Sequence, residues 1–193
     1  MPRNIYALLV GINDYAPDSG VRGLQGCVQD IRTIQAYLED RVPLENLHLL
    51  PPLLNEQATR QAVIDAFRNH LCQAGSDDTV LFYYAGHGSQ EDAPEEFWTI
   101  EPDCLNETLV CYDSRNENGL DLADKELAAL IGKVAEKNPH IVLILDCCHS
   151  GSGTRDPMQE VEERRLPKSN RRRSFDSYLV AAKGLPKNKI SNK

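Results

Sequence analysis

The 193-residue sequence lacks several features that would point to common functions. It has six cysteines but no CxxC pair, so a zinc site has little support. Neither GxGxxG nor GxxxxGKS/T occurs, which argues against a nucleotide-binding α/β domain. No run approaches about 18 consecutive apolar residues, the length expected of a membrane-spanning helix. These absences leave an ordinary globular composition to be interpreted through its motifs.

The first residues also lack the pattern of a secretory signal. The apolar stretch 5–12 runs directly into Asn13 and Asp14 without a small-residue cleavage site. We therefore expect a cytoplasmic protein whose cysteines are mostly reduced. The length suits a single domain with a buried core.

Charge is distributed unevenly along the chain. Residues 164–193 carry ten Lys or Arg and one acid, a net charge of +9, whereas residues 1–163 carry −17. An acidic body argues against a nucleic-acid surface. It favours cationic substrates or the chain's own basic tail. Residues 157–174 are polar without apolar periodicity, so we predict an exposed, flexible linker there.

Short apolar runs alternate with amphipathic segments. The apolar runs predict strands at 5–12, 46–50, 78–86, 107–113 and 140–146, with one further candidate at 175–182. Helical spacing of apolar residues predicts helices at 26–41, 55–74 and 122–137. This alternation predicts an α/β fold, a three-layer αβα sandwich around a mostly parallel sheet. Reactive groups in such folds gather beyond the carboxyl ends of the strands.

Two of the predicted strands end in residues suited to nucleophilic chemistry. One leads into "YYAGHG" and the other into "LDCCHSG". Because side chains alternate along a strand, we predict that Cys148 faces the cleft on the side of Asp146, and that Cys147 faces the packing. To attack a carbonyl, the Cys148 thiol needs a nearby base, and histidine is the usual one.

His87 is the candidate base, because it ends the other strand between two glycines that let the backbone turn sharply. His149 is a rival, although its side chain should diverge from that of its neighbour Cys148. The amides of Gly88 and Cys148 are expected to form an oxyanion hole together, a feature worth about 3–4 kcal/mol.

The two motifs, in this order and each after an apolar strand, resemble the catalytic blocks of caspase-like cysteine peptidases, in particular the metacaspase and bacterial orthocaspase branch. The animal-caspase block, similar to QACRG, is absent. The resemblance covers roughly residues 5–156 and implies a caspase-like fold, with a catalytic domain (large subunit) at 1–156. It implies a cysteine endopeptidase in which His87 is the catalytic histidine and Cys148 the nucleophile.

The same resemblance implies cleavage of protein or peptide substrates after Arg or Lys. The pocket acids correspond to Asp30, in the block "LQGCVQDI" that also contains Cys27, and to Asp146. Two carboxylates can hold a guanidinium through charge-assisted hydrogen bonds. A bound cation would also offset the cost of a carboxylate beside a thiolate. Asp30 equally fits a carboxylate near the positive end of a helix, without a substrate role.

Several features depart from the family pattern or extend it. Ala85 stands where some metacaspases have serine. We expect no required cofactor, although the resemblance makes calcium a candidate ligand, because many members of the family bind it. Lys125 and Arg155 stand where further acids would be expected. The acids available for calcium are Asp103, Asp113, Asp121, Asp124 and Asp156.

The end of the sequence is predicted to hold the start of a small-subunit segment followed by a polar tail, at 175–193, because "SYLVAA" resembles the first strand of that subunit. The basic linker offers cleavage sites to an enzyme that selects basic residues. Self-processing near Arg165 or Arg173 is therefore one hypothesis, and a linker without that role is the other. The alternative to an active peptidase is a catalytically inactive module that binds basic peptide segments.

Overall fold

The structure is a computed structural model that describes residues 3–148 and 163–179. In chain order its strands are β1 (Ile5–Gly11), β2 (Leu47–Leu49), β3 (Leu53–Leu54), β4 (Thr79–Ala85), β5 (Gly88–Asp92), β6 (Leu105–Leu109), β7 (Leu122–Ala123) and β8 (His140–Asp146). Its α-helices are α1 (Cys27–Arg41), α2 (Arg60–Asn69) and α3 (Asp124–Ala135). The sequence thus predicted β1, β2, β4 and β8 of the central sheet and all three of these helices, but not the short β3.

The central sheet is parallel, in the order β2–β1–β4–β8, with the short β3 also pairing with β1. One face is covered by α1 through the α1 cluster, whose members include Leu9, Ile31, Leu38 and Leu81. The opposite face is covered by α2 and α3 through the α2–α3 cluster, whose members include Leu8, Phe67, Phe82 and Leu130. Continuous apolar strands are needed because both faces are buried. The predicted three-layer αβα sandwich is confirmed.

Two elements differ from the sequence prediction. The strand expected at 107–113 forms at Leu105–Leu109 and belongs to a second, antiparallel sheet of β5, β6 and β7. The helix expected at 55–74 is shorter, because short 3-10 turns replace its two ends. It begins after Thr59, whose hydroxyl accepts a hydrogen bond from the Ala62 amide at 3.2 Å.

The basic segment at residues 163–179 is docked on the body, which corrects the prediction of an exposed, flexible linker for residues 163–174. Arg173 is buried there, and its guanidinium donates to the fully buried Glu126 at 2.9 Å. The same guanidinium lies 3.9 Å from the ring centroid of Tyr178, whose hydroxyl donates to Glu91 at 2.7 Å. Because charged pairs such as Arg173–Glu126 hold this segment, the pattern of apolar residues did not predict that it docks.

The strand predicted at 175–182 is also wrong at its start, where Phe175–Ser177 forms a 3-10 turn. The rest of that prediction from residue 180, with the polar tail, lies outside the described residues, as do 149–162 with His149, Arg155 and Asp156. Within residues 3–148 and 163–179, no helix has the length and apolar character needed to cross a membrane.

Candidate active site

The carboxyl ends of β4 and β8 lie side by side at one edge of the central sheet. In their parallel register Ala85 pairs with Asp146, and the Gly86 amide donates to the Asp146 carbonyl at 3.4 Å. His87 and Cys148 each lie two residues beyond this pair. Strand pairing therefore brings the two predicted motifs to neighbouring positions.

The two adjacent cysteines occupy different environments. Cys147 is partly buried and packs against the α2–α3 cluster. Burial, followed by the charges of Cys148 and Asp146, raises the pKa of the Cys147 thiol to about 12. Cys147 therefore stays protonated at neutral pH, whereas Cys148 is exposed to solvent.

His87 is fully buried and is fixed through its backbone and its ring. Its amide donates to the Tyr15 hydroxyl at 2.8 Å, and its carbonyl lies 2.8 Å from the Tyr84 hydroxyl. Its ring Nε2 lies 3.0 Å from the carbonyl oxygen of Arg22. A carbonyl can only accept, so Nε2 carries the proton and Nδ1 holds the lone pair of the neutral ring.

The tyrosines that hold this turn were not identified from the sequence. Burial raises the pKa of Tyr84 well above its usual value and also raises that of Tyr15, so both phenols remain protonated. A Cβ at Gly86 would lie 2.5 Å from the Tyr84 hydroxyl oxygen, which explains the glycine before His87. "YYAGHG" thus contributes a buried hydroxyl as well as its histidine.

Two backbone amides converge on one carbonyl oxygen. The Gly88 amide donates to the Arg164 carbonyl at 3.0 Å, and the Cys148 amide donates to the same oxygen at 3.1 Å. These are the two amides that the sequence predicts for an oxyanion hole. Donors in this position polarise the carbonyl and stabilise negative charge that develops on its oxygen.

The side chain of the same arginine lies between the two predicted pocket acids. Its Nη2 donates to Asp30 Oδ2 at 2.7 Å, and its Nη1 donates to Asp146 Oδ2. The Arg164 side chain is 17% exposed, against 40% for Asp30 and 43% for Asp146. Burial lowers the pKa of Arg164, but the hydrogen bond to Asp30 and the nearby negative charges raise it above its ordinary value. One residue therefore bridges the acid pair and the amide pair.

The surroundings of this pocket come from α1 and β4. Gly26 precedes α1 with a φ of +88°, and a Cβ there would lie 3.6 Å from Arg164 Nη2. Cys27 is fully buried and packs within the α1 cluster. Burial, followed by the charges of Asp146 and Asp30, raises the pKa of Tyr83, a pocket residue that sequence reasoning missed.

The aspartates considered for calcium make separate contacts in the structure. Residues 3–148 and 163–179 contain no group of three or more His, Cys, Asp or Glu side chains placed to hold a metal. Asp121 is bound by Arg115 at 2.6 Å and Asp124 by Lys125 at 2.6 Å. Asp113 accepts the Arg60 amide. Asp103 accepts the Leu105 amide, and Asp156 lies outside the described residues.

Comparison with known proteins identifies the family of the chain. A family model described as metacaspase, peptidase C14 domain, matches residues 6–156. Metacaspase III c of Phaeodactylum tricornutum is 32% identical over 156 residues, which cover 76% of this chain and 42% of that relative. Metacaspase-1 of Mycosarcoma maydis is 30% identical over 152 residues, which cover 76% of this chain and 35% of that relative.

The chain spans less than half the length of these two relatives. A crystal structure of a protein from Geobacter sulfurreducens matches it with a TM-score of 0.60 at 29% identity, covering 77% of this chain and 52% of that one. The family model covers most of the chain and includes both motifs at the ends of β4 and β8. The chain therefore belongs to the metacaspase family of caspase-like cysteine peptidases.

Proposed function

We propose that the chain is a cysteine endopeptidase that cleaves after Arg or Lys through a dyad of His87 and Cys148. The contacts of Arg164 carry this proposal. Its guanidinium binds Asp30 and Asp146 while its carbonyl oxygen accepts two converging amides. A residue of the chain itself is thus held as a substrate residue would be held before a cleaved bond.

The proposed chemistry begins with the Cys148 thiol. Its sulfur attacks the carbonyl carbon while its proton passes to Nδ1 of His87. Negative charge develops on the oxygen between the amides of Gly88 and Cys148, which bind it more strongly in the transition state. Collapse expels the amine of the next residue, which takes the proton from His87, and leaves a thioester. Water, deprotonated by the same ring, hydrolyses the thioester and restores the thiol.

Paired carboxylates support the preference for basic residues. A planar guanidinium can donate to Asp30 and Asp146 at the same time, as Arg164 does. The ammonium of lysine carries the same charge but lacks the planar set of donors of a guanidinium. Arginine is therefore expected to be preferred to lysine. A substrate with aspartate in this place would meet like charges and be rejected.

The contacts also favour one bond for self-processing. The hypothesis from the sequence placed it near Arg165 or Arg173, but the arginine held by the acid pair is Arg164. Arg173 donates to the buried Glu126, and this ion pair keeps Arg173 away from the pocket. The favoured bond is the one between Arg164 and Arg165.

Fluorogenic reporters ending in Arg, Lys or Asp test the proposal, with calcium and with a chelator. We expect turnover of the Arg reporter, slower turnover of the Lys reporter and none of the Asp reporter. Cys148→Ala should abolish turnover. Cys147→Ala is the matched control and should largely retain it, because that thiol packs in the core. Loss of activity in Cys147→Ala alone would show that the nucleophile is misassigned.

The Arg164 contacts also favour a second function, capture of basic segments without cleavage. A thiol-reactive inhibitor that carries an arginine-like group separates the two. Labelling at Cys148 together with reporter turnover supports the peptidase. Binding of arginine peptides with neither labelling nor turnover supports the binding module.

A further inference from the structure

The segment that follows Arg164 runs along an edge of β5. This strand pairs with β6 on one side, and on the other side Gly88 forms a parallel bridge with Arg165. The Leu166 amide donates to the Gly88 carbonyl at 2.9 Å, and the Ser169 amide donates to the Gln90 carbonyl at 2.7 Å. Main-chain bonds of this kind let a sheet edge bind an extended peptide of almost any sequence.

One side chain of this segment is enclosed. Leu166 is 9% exposed and belongs to the α2–α3 cluster of the core. Arg165 before it is only partly buried, and Pro167 and Lys168 after it are exposed. Leu166 is therefore the second residue after Arg164, whose carbonyl accepts the amides of Gly88 and Cys148.

The carbonyl of Pro167, the residue after Leu166, is held by two polar side chains, of which Ser89 is fully buried and Arg115 partly buried. The fully buried Ser89 donates its hydroxyl to the Pro167 carbonyl at 2.8 Å, and Arg115 Nη1 reaches the same oxygen at 3.3 Å. Arg115 Nη2 donates to Ser89 at 2.7 Å, and Asp121 fixes this guanidinium. Arg115 has a φ of +68°, a conformation that persists in a non-glycine residue only where its surroundings hold it. Ser89 and Arg115 therefore bind a backbone carbonyl oxygen, a group that a peptide of almost any sequence can present.

We propose that the edge of β5, with Ser89 and Arg115, binds the substrate residues that follow the cleaved bond and selects a large apolar residue at the second position. The inference rests on the proposed function, which places the cleaved bond after the residue in the position of Arg164. The fourth position is occupied by Lys168, whose pair with Asp92 is well exposed and contributes little. Selectivity after the cleaved bond is thus concentrated at the position of Leu166.

Internally quenched peptides of the sequence Glu-Arg-Ala-X-Pro-Ser test this inference, with Leu, Asn or Gly at X. Asn is close to Leu in size but polar. A preference for Leu over Asn would therefore come from burial of apolar surface and not from the size of the side chain. The chain's own segment competes with each peptide in the same way and leaves the ratios of kcat/KM unchanged. We expect kcat/KM for Leu to exceed those for Asn and Gly by at least about tenfold, with cleavage after Arg confirmed by mass spectrometry.

A short Arg reporter with no amino acid after the cleaved bond completes the design. Ser89→Ala should lower kcat/KM for the Leu peptide more than for this reporter, because only the peptide reaches the groove. Equal kcat/KM for all three peptides would overturn the inference and leave the proposed function standing. If no substrate is cleaved, the proposed function fails. Binding to Cys148→Ala then decides on the groove: about tenfold tighter binding of the Leu peptide supports it, and equal affinities refute it.

Discussion

Replacing Asp146 with Asn removes one charge from the pocket and preserves the shape of the side chain. A hydrogen bond to a charged group is worth about 1.5–3 kcal/mol. Asp146 is 43% exposed, so solvent screening reduces this to about 1–2 kcal/mol. The expected loss in kcat/KM for an arginine substrate is therefore about 5–30-fold. Asp30, 40% exposed and 2.7 Å from the same guanidinium, should give a loss of similar size.

Two matched reporters, ending in arginine and in its neutral analogue citrulline, make this measurement specific. Asp146 precedes Cys148 by two residues, so its removal also changes the field at the nucleophile, and this second effect acts on both reporters. The ratio of their kcat/KM values cancels it and isolates recognition of the substrate charge.

We expect the arginine-to-citrulline ratio to fall by about 5–30-fold in Asp146→Asn and in Asp30→Asn. Melting temperatures close to that of the unmodified protein would show that the variants fold. If both reporters lost activity equally, these carboxylates would act on the fold or the nucleophile, and the reasoning about the pocket would be refuted.

Three further predictions concern the strand ends and the docked segment. The purified chain should cut itself between Arg164 and Arg165, as mass spectrometry of the fragments would show, and an Arg164→Gln variant cut at the same bond would contradict the contacts. Gly86→Ala should lower the free energy of unfolding in urea by about 1–3 kcal/mol, because the new Cβ overlaps a tyrosine hydroxyl; an unchanged value would mean that the turn relaxes. Iodoacetamide at about pH 8 should label Cys148 before Cys147, whose pKa of about 12 keeps it protonated; peptide mapping that gave the reverse order would exclude this assignment.

The parts of the site that the sequence predicted are those that depend on strand pairing. Apolar runs located β4 and β8, and a parallel sheet places the ends of its strands at one edge. The register between Ala85 and Asp146 then brings the two motifs together. Alternation of side chains also predicted a packing position for Cys147, which lies against the α2–α3 cluster.

The parts that the sequence did not predict depend on pairs far apart in the chain. Arg22 orients His87 through a backbone carbonyl, a group that no residue pattern reveals. Residues 163–174 looked like part of a linker because Arg173 and its neighbours have no apolar period, although a long-range ion pair with Glu126 holds them. The one sequence signal was the contrast between an acidic body and a basic tail.

That contrast in charge has a structural explanation in the docked segment. Arg164, Lys168 and Arg173 each meet an acid of the body, but the three pairs differ in exposure. The pair at Arg173 is almost fully buried, so salt screens it little, whereas the pairs at Lys168 and Arg164 are partly open to solvent. The segment is therefore anchored most firmly at Arg173 and most loosely at Lys168, with the two-carboxylate contact of Arg164 between them. A basic substrate residue can enter the pocket only if Arg164 leaves both carboxylates, and the buried pair at Arg173 does not have to break for that exchange.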